Sequence, residues 1–247
     1  MNRRTAFLVA SLLLAAAVLA YRCWPDTVPH VPAWEPVEGF IREIPDAVRL
    51  RHEYHLEQIR KGPLDVIFFG DSIARGWEDH EDLWQQHFAP RHCGLFAASH
   101  DTTSNLLWRI DHGELDNVTP KLVIVLIGTN NRKDTSQTAE DIAKGIRTIL
   151  DRIREKQPQA KILLLGILPQ GHRPSASSRI MLDRVNRLIS QFSDGKNVFF
   201  RDHGPFLLEA DGQLSVAVSP DGTHLSRLGY ERWAAPMEAD LKKLLGD

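Results

Sequence analysis

Three uninterrupted apolar runs interrupt the otherwise mixed pattern of the chain: Val66-Ile67-Phe68-Phe69, Leu122-Val123-Ile124-Val125-Leu126-Ile127 and Ile162-Leu163-Leu164-Leu165-Gly166-Ile167. Runs without polar alternation predict strands buried on both faces, as in a parallel sheet. A shorter run, Val198-Phe199-Phe200, predicts one more. Between and after these runs the apolar spacing changes to a helical period. Ile142, Ile146, Ile149, Leu150 and Ile153 fall in register within 139–156, as do Ile180, Val185, Leu188 and Ile189 within 177–192. Residues 228–245 predict a closing helix. Ahead of the first strand, 46–61 predicts a helix with Val48, Leu50, Tyr54, Leu56 and Ile59 on one face, stopped by Lys61-Gly62-Pro63. Strands alternating with helices predict an α/β sandwich of three layers in one domain, 46–247.

The N-terminus departs from this pattern. Arg3 and Arg4 precede a charge-free stretch, Thr5 to Ala20, which ends in small residues before Tyr21-Arg22-Cys23-Trp24-Pro25. A basic end, an apolar centre and a small-residue boundary make 1–22 a signal peptide or a membrane anchor. In either case the positive-inside rule keeps the arginines in the cytoplasm and exports the rest, to the periplasm or the cell exterior. Residues 23–45, rich in proline and tryptophan near their start and without a period, predict a linker or an arm on the domain surface.

Composition changes the picture little. With 43% apolar and 25% charged residues and a formal net charge of -2, the chain has no basic stripe that would mark a nucleic-acid partner. The two cysteines, Cys23 and Cys93, form neither a CxxC pair nor a metal-ligand cluster. The histidines at 52, 55, 80, 87, 92, 112, 172 and 203 show no HExxH-type spacing and predict mostly surface positions.

Chemistry in open α/β sheets gathers beyond the carboxyl ends of the strands. Those ends read Gly70-Asp71-Ser72, Gly128-Thr129-Asn130-Asn131 and Pro169-Gln170-Gly171-His172, and Asp221-Gly222-Thr223-His224 follows near the C-terminus. A serine hydroxyl needs a base in hydrogen-bond reach and a third group to orient that base. His224 can be the base and Asp221, three residues earlier, the orienting carboxylate. The backbone N–H of Ser72 and the side-chain amide of Asn130 are candidate donors to an oxyanion. Taken singly, each has an ordinary reading: Ser72 as a helix cap, Asn130 as a turn residue, His224 as a loop histidine. Their joint placement at loop positions of one sheet is far more specific.

Gly70-Asp71-Ser72-Ile73, Gly128-Thr129-Asn130-Asn131 and Asp221-Gly222-Thr223-His224 resemble blocks I, III and V of the SGNH (GDSL) hydrolases. The likeness is to the branch similar to the catalytic subunits of platelet-activating factor acetylhydrolase and their bacterial relatives. It covers the chain from about residue 53 onward. It implies a flavodoxin-like parallel sheet, a serine esterase or acyl-transfer site built on Ser72, Asp221 and His224, and no metal or organic cofactor. One block departs. Relatives carry a glycine-rich "N-x-G-I-G-G-D" where this chain reads Leu95-Phe96-Ala97-Ala98-Ser99-His100-Asp101. The oxyanion glycine of the family falls on His100, where glycine adopts the needed conformation more readily; the readings are a retained backbone N–H donor, an imidazole that substitutes for it or narrows the pocket, a side chain that only packs beside the site, and an impaired enzyme.

The residues therefore point to an exported serine esterase that removes a short, acetyl-type acyl group from a small-molecule or glycan ester. Two further readings are an acyltransferase on envelope glycans and a non-catalytic carbohydrate-binding or scaffold protein that keeps the fold. The sequence leaves the oligomeric state open.

Overall fold

The structure, a computed structural model, describes residues 31–38, 47–134 and 136–246; the Thr5–Ala20 stretch lies outside the described residues. Five parallel strands form one sheet in the order β2-β1-β3-β4-β5. They are β1 (Val66–Gly70), β2 (Cys93–Ala97), β3 (Leu122–Leu126), β4 (Lys161–Leu165) and β5 (Val198–Arg201). The helices are α1 (Ala47–Lys61), α2 (Ser72–Arg75), α3 (Glu81–His87), α4 (Thr103–Arg109), α5 (Ala139–Lys156), α6 (Ser177–Ile189) and α7 (Arg227–Leu245). Every residue of β1 and β3 is buried, which is why their sequences are apolar without alternation. Ile67 and Phe69 face a core layer shared with Leu106, Ile142, Ile146 and Leu182. Val66 and Phe68 face the opposite layer, with Leu83, Trp77, Trp233 and Leu241. The result is the predicted three-layer α/β sandwich with flavodoxin-like strand order.

Local chemistry sets the element boundaries. Thr102 and Thr138 each close a reciprocal capping box, with Asn105 and Asp141, at the starts of α4 and α5. Gly128, at φ +123°, turns the chain away from β3; a Cβ there would stand 2.6 Å from Ile167 Cδ1.

Several expectations need correction. The pattern showed no strand at Cys93–Ala97, yet this segment pairs with β1 along its whole length. Its run is uncharged, but only Leu95 and Phe96 are large apolar side chains beside Cys93, Gly94 and Ala97, and its edge position leaves Cys93 and Leu95 only partly buried, so the strand signal is weak. On α1 the inward face carries Val48, His52 and His55, whereas Leu50 and Tyr54 are 55% and 44% exposed. Ile180 is likewise turned outward at 57% exposure. His203 is buried rather than superficial, between Trp233 Nε1 at 3.1 Å and Asp240 Oδ2 at 2.8 Å. His52 and His55 owe their burial to an acidic partner, Glu114, described below.

The described part of the arm, 31–38, is laid along α4 and α5. Thr103 Oγ1 donates to Ala33 O at 2.6 Å, Ser104 Oγ to Pro32 O at 2.9 Å and Gln137 Nε2 to Val31 O at 2.9 Å. Gly145 permits this approach, because a Cβ there would stand 2.3 Å from Ala33 O.

Candidate active site

β1 ends at Gly70, between Ala97 of β2 and Leu126 of β3. The chain exits so tightly that a Cβ on Gly70 would lie 2.4 Å from Ala74 Cβ. Asp71 caps the helix that follows: its Oδ1 accepts the Ile73 N–H at 2.9 Å. Burial pushes the Asp71 carboxyl up to about 6, against the pull of that hydrogen bond. Asp71 thus shapes the turn, and Ser72 opens α2 with its side chain at the sheet's carboxyl edge.

Ser72 Oγ lies 2.9 Å from His224 Nε2, across 152 positions of sequence. His224 Nδ1 lies 2.7 Å from Asp221 Oδ2. Asp221 Oδ1 also accepts the backbone N–H of His224 at 2.7 Å and of Thr223 at 2.8 Å, a turn helped by Gly222 at φ +73°. Burial opposes ionisation of Asp221, but these three N–H donors together outweigh it and hold the carboxyl at about 2. An ionised Asp221 fixes the proton of His224 on Nδ1 and leaves Nε2 free to accept from Ser72. The structure therefore brings Ser72, His224 and Asp221 into one hydrogen-bonded chain in the order their chemistry requires.

Asn130 follows β3 and is mostly buried, its amide Nδ2 donating to Asp101 O at 3.0 Å. An amide nitrogen carries two N–H groups, so one remains for a ligand. His100 stands one residue before Asp101. The Asp101 N–H reaches Ala98 O at 3.4 Å and closes a four-residue turn whose third position, His100, has φ +69°. That is the left-handed conformation a glycine would adopt there. His100 thus combines a left-handed backbone with an exposed position. The turn is joined to β1 by the Ala98 N–H, which donates to Gly70 O at 3.1 Å, and to α2 by Arg75 Nη1, which donates to Ser99 Oγ at 3.0 Å.

Beneath this turn lies a charged cluster that no motif singled out. Arg109, fully buried, places Nε 2.8 Å and Nη2 2.7 Å from Asp101 Oδ2, donates from Nη1 to Phe96 O at 3.1 Å, and also contacts Glu114 Oε2. Glu114 Oε1 meets Nδ1 of both His52 and His55 at 2.8 Å. Burial works against the charge on Glu114, but Arg109 and the two histidines outweigh it and hold its carboxyl well below the usual range. Burial pulls His55 down to about 4. In the sequence His52 and His55 read as surface histidines, and nothing marked Arg109 or Glu114. Among the described residues no group of three or more His, Cys, Asp or Glu side chains is arranged to hold a metal ion.

A parallel sheet with a serine, a histidine and a carboxylate converging beyond its strand ends defines a serine hydrolase of the α/β class. The comparisons narrow it. The model of the GDSL-like lipase/acylhydrolase family matches residues 68–232. Bos taurus platelet-activating factor acetylhydrolase IB subunit alpha1 is 36% identical over 197 residues, covering 79% of this chain and 82% of the relative. Homo sapiens subunit alpha2 is 34% identical over 222 residues, covering 90% and 92%. A solved GDSL-like lipase from Bacteroides thetaiotaomicron superposes with a TM-score of 0.65 at 18% identity, covering 78% of this chain and 97% of that one. An acetyl-xylooligosaccharide esterase from Geobacillus superposes at 0.56 with 16% identity, covering 72% and 93%; both likenesses are of fold. The chain belongs to the GDSL-like lipase/acylhydrolase family, and it is a serine ester hydrolase.

Proposed function

We propose that this chain is an exported esterase that removes short, acetyl-type acyl groups through Ser72, His224 and Asp221. The observation that carries the reading is the continuous contact from Ser72 Oγ through the imidazole of His224 to Asp221, at 2.9 and 2.7 Å. In this mechanism Ser72 Oγ attacks the ester carbonyl carbon as its proton passes to His224 Nε2. The carbonyl oxygen, now an anion, accepts hydrogen bonds from the Ser72 N–H, the free N–H of Asn130 Nδ2 and the His100 N–H. Collapse releases the alcohol, which takes the proton from His224, and leaves an acyl-serine. His224 then takes a proton from water as its oxygen attacks the acyl carbon, the bond to Ser72 Oγ breaks to free the acid, and His224 returns the proton to Ser72 Oγ. Throughout, Asp221 holds the Nδ1 proton and stabilises the imidazolium.

The acetyl preference is supported by the names of the relatives, two of them acetylhydrolase subunits and one structural neighbour an acetyl-xylooligosaccharide esterase. Export is supported by the basic and apolar pattern of 1–22. Water is favoured over a sugar hydroxyl as acceptor by the openness of the base: the side chains of His224 and Asp221 are 53% and 56% exposed. The test is hydrolysis of p-nitrophenyl acetate and butyrate, with fluorophosphonate labelling alongside. Ser72→Ala is expected to abolish both turnover and labelling, and acetate is expected to be turned over faster than butyrate. A parent that is folded but neither labels nor turns over either ester would overturn the enzymatic reading in favour of a binding protein.

A further inference from the structure

His100 has a problem that a glycine would not have. A left-handed backbone brings the Cβ of an L-residue against its own carbonyl, and such residues persist only where the surroundings over-determine them. The segment from Phe96 to Asp101 is held from both sides. At one end, Arg109 Nη1 donates to Phe96 O at 3.1 Å and Arg51 Nε donates to Ala97 O at 2.8 Å. At the other, Arg109 Nε donates to Asp101 Oδ2, with Nη2 within ion-pair distance of the same oxygen, while Asn130 Nδ2 holds the Asp101 carbonyl. One rigid guanidinium thus spans the mouth of the turn that carries His100. Its own position is set by Glu114, which His52 and His55 anchor from α1.

A buried ion network of this kind is poor evidence for stability, since well-packed apolar residues do as well or better. It does fix geometry, because a planar, five-donor group bridges two acceptors in a way a single ammonium cannot.

We infer that Arg109, assisted by Arg51, is a positioning residue: it holds the Phe96–Asp101 segment so that His100 keeps the left-handed backbone that aims its N–H at the reacting carbonyl oxygen. The inference rests on the esterase reading for its catalytic consequence. It predicts a specific coupling. If the arginines act by maintaining a strained turn, their contribution must shrink when residue 100 is a glycine that adopts the conformation unaided.

The test is a mutant cycle in the full chain. Arg109→Lys and Arg51→Lys are each prepared in the parent and in His100→Gly, and kcat and KM are measured on p-nitrophenyl acetate. Removing an oxyanion donor outright costs about 10²–10³ in rate, so a loosened one is expected to cost about tenfold in kcat, with KM nearly unchanged. In the His100→Gly background the loss is expected to fall to about threefold or less. Hydrogen exchange of the 97–101 amides is expected to quicken in both lysine variants and to be restored by His100→Gly. Equal kcat losses in both backgrounds, a loss confined to KM, or unchanged exchange at 97–101 would overturn the inference. Should Arg109→Lys fail to fold, the part-buried Arg51→Lys carries the same cycle. A parent without Ser72-dependent turnover sinks the esterase reading instead, and the exchange measurement still decides whether the arginines hold the turn.

Discussion

The backbone of His100 makes a quantitative prediction about stability. The perturbation is a pair of substitutions, His100→Gly and His100→Ala. Both remove the imidazole and whatever it contacts, so their difference isolates the backbone. Alanine retains a Cβ at φ +69° and with it a left-handed penalty of about 1–2 kcal/mol. Glycine escapes that penalty but gives the unfolded chain extra freedom, which offsets about 0.4–1 kcal/mol. The balance leaves the glycine variant more stable than the alanine variant by about 1 kcal/mol. For a chain of this size that difference separates the thermal midpoints by about 2–4 °C. The assay is thermal unfolding followed by circular dichroism, supported by urea titration to check that the slopes agree. An alanine variant as stable as the glycine variant, or more so, would refute the claim that the turn stores left-handed strain.

Other perturbations test separate parts of the structure. Asp221→Asn cannot accept the three N–H groups as an ion and loses control of the His224 tautomer; kcat on p-nitrophenyl acetate is expected to fall by about 10²–10⁴, with unfolding little changed. Gly145→Val pushes a side chain into Ala33 O, 2.3 Å from the site of the new Cβ, and is expected to cost about 1–3 kcal/mol, read as a lower urea midpoint; an unchanged midpoint would refute the tight approach of the arm. His55 is held neutral at about 4 against an ordinary 6.5, with Glu114, Arg109 and Arg51 as its charged neighbours. The unfolded chain therefore takes up a proton first as pH falls. The stability His55 confers is whole above 6.5 and declines toward pH 4, by up to about 3 kcal/mol. The gap in urea-derived stability between the parent and His55→Gln should narrow over that range, and a gap independent of pH would refute the assignment.

The parts of the fold that were legible in the sequence were those where one physical force dominates. β1 and β3 are covered on both faces, so every position had to be apolar and the runs were continuous. The long α5 turns one stripe to the core, and its isoleucines recur at helical spacing. β2 was hidden because an edge strand has one neighbour and partly exposed positions at Cys93 and Leu95, and its Gly94 and Ala97 carry little strand preference. The inward face of α1 was misassigned because an ion cluster, not apolar burial, draws in His52 and His55. For the site, Ser72, Asn130, Asp221 and His224 were visible as short motifs because loops after strands place few constraints on each other besides chemistry. Arg109 and Glu114 were not, since their role depends on contacts between α4, β2 and α1 that no local spacing encodes.

The hydroxyl of Tyr230 on α7 donates to Ile73 O on α2 at 2.7 Å, so the closing helix is bolted to the one that begins with Ser72. This has a consequence for the order of events during synthesis. The first four strands, β1 to β4, are made well ahead of Asp221, His224 and Tyr230. A nascent chain that has emerged only through β4 carries Ser72 as an ordinary alcohol, with neither a base beside it nor a bolt across its helix. In the proposed mechanism reactivity arrives only when the last helix docks, which makes covalent capture of Ser72 a reporter of completed folding and keeps the unfinished chain chemically silent.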